Sequence, residues 1–159
     1  MLRCVFLYYL LAPLIFVSDR LALPPCHASS WQHFTFPFVH ANLLHWFLNG
    51  VAILSLSTIL RWQRTAWAYV FSVMVGFLHE PMARMGLSPS LPLLGFSVIV
   101  YFYMGMLYVH LPSWRRWRIV IVAAAGLFVP GIAALVHIMM LVTGATSEII
   151  RSHWTRYES

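Results

Sequence analysis

Residues 40–60 read HANLLHWFLNGVAILSLSTIL. The run carries no Asp, Glu, Lys or Arg, and as one α-helix it would extend about 30 Å, the thickness of a bilayer's hydrocarbon core. Within it His45 and Asn49 lie four residues apart and share a helix face, and Asn42 extends the same stripe at i, i+3, i+7 spacing. An ionisable ring and an amide in the middle of an apolar span are costly in hydrocarbon, so a water-filled functional site is the first hypothesis for them.

The rest of the chain reads in the same way. Hydrophobic residues make up 61% of 159 positions and charged residues 9%, too little polar surface to cover a water-soluble globule of this size. The solvent is therefore lipid. Charge, Pro and Gly divide the chain into six apolar runs: Leu2 to Val17, His40 to Leu60, Trp62 to Leu78, Leu91 to His110, Ser113 to Val129 and Ile132 to Ile150. These predict an all-α membrane protein, a bundle of six transmembrane helices forming one domain over residues 1–159. The first run is read as a span and not a cleaved leader, since Ser18-Asp19-Arg20-Leu21 lacks an A-x-A-like cleavage site. The 32 residues from Ile119 to Ile150 would be about 48 Å as one helix, too long for one span, so a turn is expected at Pro130-Gly131.

The net charge of +6 sets ten arginines, with no lysine, against four acidic residues. The placement of the arginines at helix ends, and not in one patch, argues against nucleic acid as a partner and for an orientation signal. With the N-terminus inside, Arg3, Arg61, Arg64, Arg115, Arg116, Arg118, Arg151 and Arg156 face the cytoplasm and only Arg20 and Arg84 face out, so both termini are expected to be cytoplasmic. Cys4 and Cys26 lie in a span and a loop and are expected to be free thiols.

Spans two, four and six run in the same direction, so depth can be compared by counting to their inner ends. From Asn49 to Arg61 is 12 residues, from Ser97 to His110 is 13, and from His137 to Arg151 is 14. That common level lies roughly 20 Å above the inner boundary, hence about 10 Å below the outer one. A lone intramembrane Ser, Asn or His is commonly hydrogen-bond glue between helices. Glue residues have no reason to share one depth across three spans, whereas the parts of an acyl-transfer site do. Ser97 is then the nucleophile, His137 the general base, and His45 with Asn49 the donors to an oxyanion. Asp19, Glu80, Glu148 and Glu158 fall in loops, helix ends or the tail, so no carboxylate joins the set and the unit is a dyad. Tyr101, one turn below Ser97, is expected to orient the imidazole by stacking on His137.

The stretch His40-Ala41-Asn42-Leu43-Leu44-His45-Trp46-Phe47-Leu48-Asn49 resembles the second transmembrane helix of rhomboid proteases, with its H-x-[N/S]-x-x-H-x-x-x-N motif. Gly95-Phe96-Ser97 resembles the family's G-x-S, and Tyr101, Gly105, His137 and Gly144 stand in its register. The resemblance implies a rhomboid-like bundle and an intramembrane serine endopeptidase, with Ser97 and His137 catalytic. Ser97, through its amide, His45 and Asn49 would form the oxyanion hole, with Tyr101, Gly95, His40 and Asn42 in support. It implies no cofactor or metal, a single-span membrane protein as substrate, lipid as surroundings, and a multi-pass place in a prokaryotic cytoplasmic membrane. It further implies that the loop from Glu80 to Gly95 dips toward the site and that substrate enters sideways near helices two and five.

Three positions depart from the family pattern. Val98 stands where Gly or Ala is usual, and its bulk would crowd the oxyanion or the substrate. Met140 replaces a small residue three after the histidine and is expected to hinder close approach of helices four and six. Gln32 stands where the loop motif has Arg. These departures leave an alternative, a rhomboid-like protein of weak or no activity that binds membrane clients. A metal transporter or metalloprotease using His40, His45 and His137 is disfavoured, because the chain has no H-E-x-x-H and no carboxylate at that depth.

Overall fold

The computed structural model describes residues 20–56, 62–87, 92–127 and 134–157. The expected first span, Leu2 to Val17, and the expected turn at Pro130-Gly131 lie outside them. A short helix α1 (Gln32–Thr35) and a 3-10 turn (Phe36–Phe38) precede five longer helices: α2 (Leu43–Ser55), α3 (Trp62–Arg84), α4 (Ser97–His110), α5 (Ser113–Leu127) and α6 (Ala134–Tyr157). No strand occurs among the described residues; one isolated antiparallel bridge joins Leu23 to Leu93.

Several boundaries differ from the sequence expectation, each for a local reason. The second run becomes helical only at Leu43, because Asn42 is extended and its side chain accepts the His45 N–H at 2.8 Å, satisfying one of the donors a helix leaves open at its start. In the third run the helix continues past Leu78 to Arg84 with Pro81 inside it, and Arg84 donates to Glu80 one turn back at 2.5 Å. The connection to the fourth run therefore starts later than Glu80. The fourth run is not helical before Ser97. Leu93 exchanges backbone hydrogen bonds with Leu23 at 2.7 and 2.9 Å, the Gly95 N–H donates to the Phe36 carbonyl at 3.0 Å, and Gly95 has φ +103°, a conformation that favours glycine. Leu111 is extended ahead of Pro112, which ends α4, and the Arg116 Nε donates to the Leu111 carbonyl at 2.9 Å as α5 begins.

Helix α4 is the centre of the bundle and packs against α2, α3, α5 and α6. Its Val98, Ile99, Val100, Phe102, Tyr103 and Met106 are buried, with Ile53 from α2, Ala68 and Val75 from α3, and Val136 and Met140 from α6. The outward faces are apolar as well: Leu43, Leu44, Phe47 and Leu48 on α2, Met74 and Phe77 on α3, Val120 to Val122 on α5, and Val142 and Ile149 on α6 are exposed. A bundle apolar both inside and out is at its most stable in lipid.

Among the described residues, by length and composition, Ala134–Trp154 of α6 alone would cross a membrane unaided, and α1 with its 3-10 turn and α2 would count as one broken segment bent by 80°. At 13 and 14 residues α2 and α4 extend about 20 Å: α2 starts at Leu43 and closes at its Leu56 cap, and the chain just ahead of Ser97 is looped. The helix α3 is long enough, but Arg64, His79, Glu80 and Arg84 dilute it.

The expectation that Met140 holds helices four and six apart is overturned. Met140 is fully buried, and the two backbones touch: a Cβ built on Gly105 would lie 1.9 Å from the Leu141 carbonyl oxygen, and one on Gly144 the same distance from that of Phe102. The long, unbranched thioether fills space beside the glycine contact without entering it.

Candidate active site

Ser97 is the first residue of α4, placed there by the Gly95 turn, so its hydroxyl and the open N–H groups of the helix start share one place. His137 lies one turn into α6 and is buried, and its Nε2 is 2.8 Å from Ser97 Oγ. Two residues forty apart in sequence thus meet at hydrogen-bond distance across the most extensive helix contact in the bundle.

Tyr101 sits against His137 with ring centroids 4.5 Å apart but planes tilted by 48°, a ring contact and not the expected parallel stack. Its hydroxyl donates to the Val122 carbonyl at 3.4 Å, which ties the ring to α5.

His45 reaches the site from α2. A side chain on Gly95 would begin 2.6 Å from His45 Cε1, 2.8 Å from its Nε2 and 3.5 Å from Ser97 Oγ. Glycine at 95 is therefore required twice, by its φ and by the imidazole lying over it. His40 is buried behind, its ring edge-on to His45 at a centroid distance of 5.3 Å. Asn49, one turn below His45, is buried, and its Nδ2 makes no hydrogen bond among the described residues. A buried amide donor without an acceptor is costly in a structural role and suits a group that develops negative charge during a reaction. Asn42 is exposed and caps α2 through the His45 N–H, so it places the helix and is not brought to Ser97.

The departures from the pattern also find places. Val98 is wholly buried among core side chains and does not stand between Ser97 and His137. Gln32 accepts from the Ser29 N–H at 2.7 Å and donates to the Arg20 carbonyl at 2.9 Å, so a neutral amide fastens the loop ahead of α2.

Sequence reasoning missed the support beneath Gly95. Phe36 is fully buried, and its carbonyl receives the Gly95 N–H. The aromatic Phe36-Pro37-Phe38 was the available signal, but it reads equally well as a membrane-interface segment. No group of three or more His, Cys, Asp or Glu residues able to hold a metal occurs among the described residues.

No curated protein matches the chain. The family described as Rhomboid domain matches it over residues 27–154, which takes in every helix from α1 to nearly the end of α6. A match over that share of the sequence shows that the chain belongs to the rhomboid family, and with it to the integral membrane proteins.

Proposed function

We propose that this protein is an intramembrane serine endopeptidase that cleaves single-span membrane proteins with a Ser97–His137 dyad. The observation that carries this reading is the 2.8 Å approach of His137 Nε2 to Ser97 Oγ at the start of a buried helix. In the first step His137 takes the proton as Ser97 Oγ attacks the scissile carbonyl. The Ser97 N–H, the His45 ring and the Asn49 amide donate to the oxyanion. Collapse of the intermediate breaks the C–N bond, and the amine leaves with the proton held by His137. Water then attacks the acyl-enzyme with His137 again as base, releasing the acid and restoring the serine.

The substrate class follows from the surroundings. The outward face of α2, with Leu43, Leu44, Phe47 and Leu48, is apolar and meets lipid, so a transmembrane segment can approach the site from the side. The alternative, a client-binding member without hydrolysis, drew on Val98, Met140 and Gln32. The Val98 and Met140 side chains lie in the core, Gln32 fastens the loop ahead of α2, and none of the three occupies the Ser97–His137 contact.

The test is labelling of the full chain in detergent by a fluorophosphonate, together with cleavage of a reconstituted single-span substrate, wild type against Ser97→Ala. A folded wild type that neither labels nor cleaves would give the client-binding reading the field. Replacing an oxyanion donor has a narrower effect: Asn49→Ala or His45→Ala lowers turnover by roughly tenfold to a thousandfold, while substrate binding changes much less. Equal losses in binding and turnover would assign these side chains to structure.

Orientation is tested separately. Both termini are placed in the cytoplasm, and the membrane is proposed to be a prokaryotic inner membrane. A reporter fused after Ser159 should be active only on the cytoplasmic side, and activity confined to the outer side would overturn the six-span topology.

A further inference from the structure

At the far end of the α4–α6 contact from Ser97 lies the most deeply buried carboxylate among the described residues. Glu148 on α6 is 1% exposed, and its Oε1 lies 2.6 Å from His110 Nε2, at the last turn of α4. Arg151, one turn on along α6, donates to both carboxylate oxygens, and Arg64 of α3 approaches to 4.0 Å. Sequence reasoning placed Glu148 among the helix ends and gave it no partner.

We propose that Glu148 and His110 are positioning residues, a polar lock that fixes the axial register of α6 on α4 and so holds His137 against Ser97. The proposal rests on the serine-peptidase reading. Its physical basis is the surface between the two locks. From Ser97 to His110 is 13 residues along α4, and from His137 to Glu148 is 11 along α6. The two helices run parallel, since contacts at 97 with 137, 102 with 144 and 110 with 148 follow in order. Midway between, the contact is glycine against backbone, Gly105 on Leu141 and Gly144 on Phe102. Glycine permits close approach but offers no knob to resist sliding. A slip of one residue is about 1.5 Å, which lengthens a 2.8 Å hydrogen bond lying across the two helices to about 3.2 Å, the edge of its range, and turns it out of line. An apolar pair at 110 and 148 would tolerate such a slip. A buried carboxylate does not, because moving it off His110 and Arg151 would cost charge-assisted bonds. Arg151 and Arg64 bring positive charge to the same carboxylate.

The test uses the full chain in detergent, with the rate constant and the final extent of fluorophosphonate labelling measured separately. His110→Leu and Glu148→Gln should slow the labelling rate constant by about a hundredfold while the labelled fraction reached at long times stays close to wild type. His110→Gln, which keeps a donor for Glu148, should recover most of the rate. A reduced fraction labelling at the wild-type rate would mean that the cluster only maintains folding, and a wild-type rate in His110→Leu would remove the lock altogether. A second readout needs no activity. Spin labels at Leu135→Cys on α6 and Phe47→Cys on α2, in a chain with Cys4→Ser and Cys26→Ser, report the position of α6 near His137. Their separation should shift by up to about 1.5 Å for each residue of slip and its distribution should broaden in Glu148→Gln, and an unchanged distribution would overturn the lock. If wild type and Ser97→Ala label alike, the serine reading fails, and the spin-label distance still decides the register.

Discussion

Ser97→Ala and His137→Ala should each reduce cleavage and fluorophosphonate labelling to background, an expected loss on the order of 10⁴ to 10⁶ in rate, and the double variant should lose little more than either. The near-absence of additivity is the diagnostic part. If Ser97 Oγ is nucleophilic only because His137 Nε2 at 2.8 Å accepts its proton, removing either partner removes the same step. The imidazole must be neutral to accept, so activity should rise with pH as His137 loses its proton, and the rise should vanish in any residual activity of His137→Ala. Stability should change far less than rate. In Ser97→Ala the buried His137 Nε2 loses its serine partner, a cost of about 1–3 kcal/mol. Melting temperature in detergent, measured beside the rates, separates the two effects. Cleavage that persists in Ser97→Ala would sink the serine mechanism.

The general architecture was legible because burial inside a bilayer leaves a plain signature. Apolar runs interrupted by Arg, Pro and Gly mark the helices, and α5 begins at Ser113, the residue that opens the run forecasting it. The relative height of Ser97 and His137 was legible for a similar reason: in parallel helices of constant rise, counting residues compares heights, and the two do meet. What the sequence did not disclose are contacts made by backbone. Nothing in Leu91 to Phe96 distinguishes a helical turn from a looped segment, since the Leu23–Leu93 bridge and the Gly95 to Phe36 hydrogen bond join stretches far apart in sequence. Asn42 looked like part of a functional stripe because it shares its spacing, yet its role as a helix cap depends on an extended backbone that spacing does not encode. Glu148 was passed over because a lone acid near a helix end is ordinary. Only the packing of α3, α4 and α6 brings Arg64 and His110 to it.

Gly144→Ala and Gly105→Ala should be the most damaging changes away from the dyad, although each adds a single methyl group. At Gly144 the new Cβ would stand 1.9 Å from the Phe102 carbonyl oxygen, and at Gly105 it would stand 1.9 Å from that of Leu141 and 2.8 Å from the Ala145 nitrogen. The obstructing atoms are backbone on the facing helix, so no rotamer change relieves the clash. The helices α4 and α6 must part by about 1 Å or more to restore ordinary contact. That separation opens the largest interface in the bundle and stretches the Ser97–His137 hydrogen bond at its end, so stability and chemistry should fall together. The expected result is a destabilisation of about 3 kcal/mol or more, at the upper end of what overpacking costs, and a labelling rate lower by about a hundredfold. Gly76→Ala on α3 is the control. Its Cβ would meet the Phe36 ring edge at 2.9 Å and a Leu23 methyl at 3.3 Å, both side-chain atoms with some room to yield, so its effect should be distinctly smaller. If Gly144→Ala melted and labelled like wild type, the two helices would have to be farther apart than described, and Met140 would regain the part of spacer that its size first suggested.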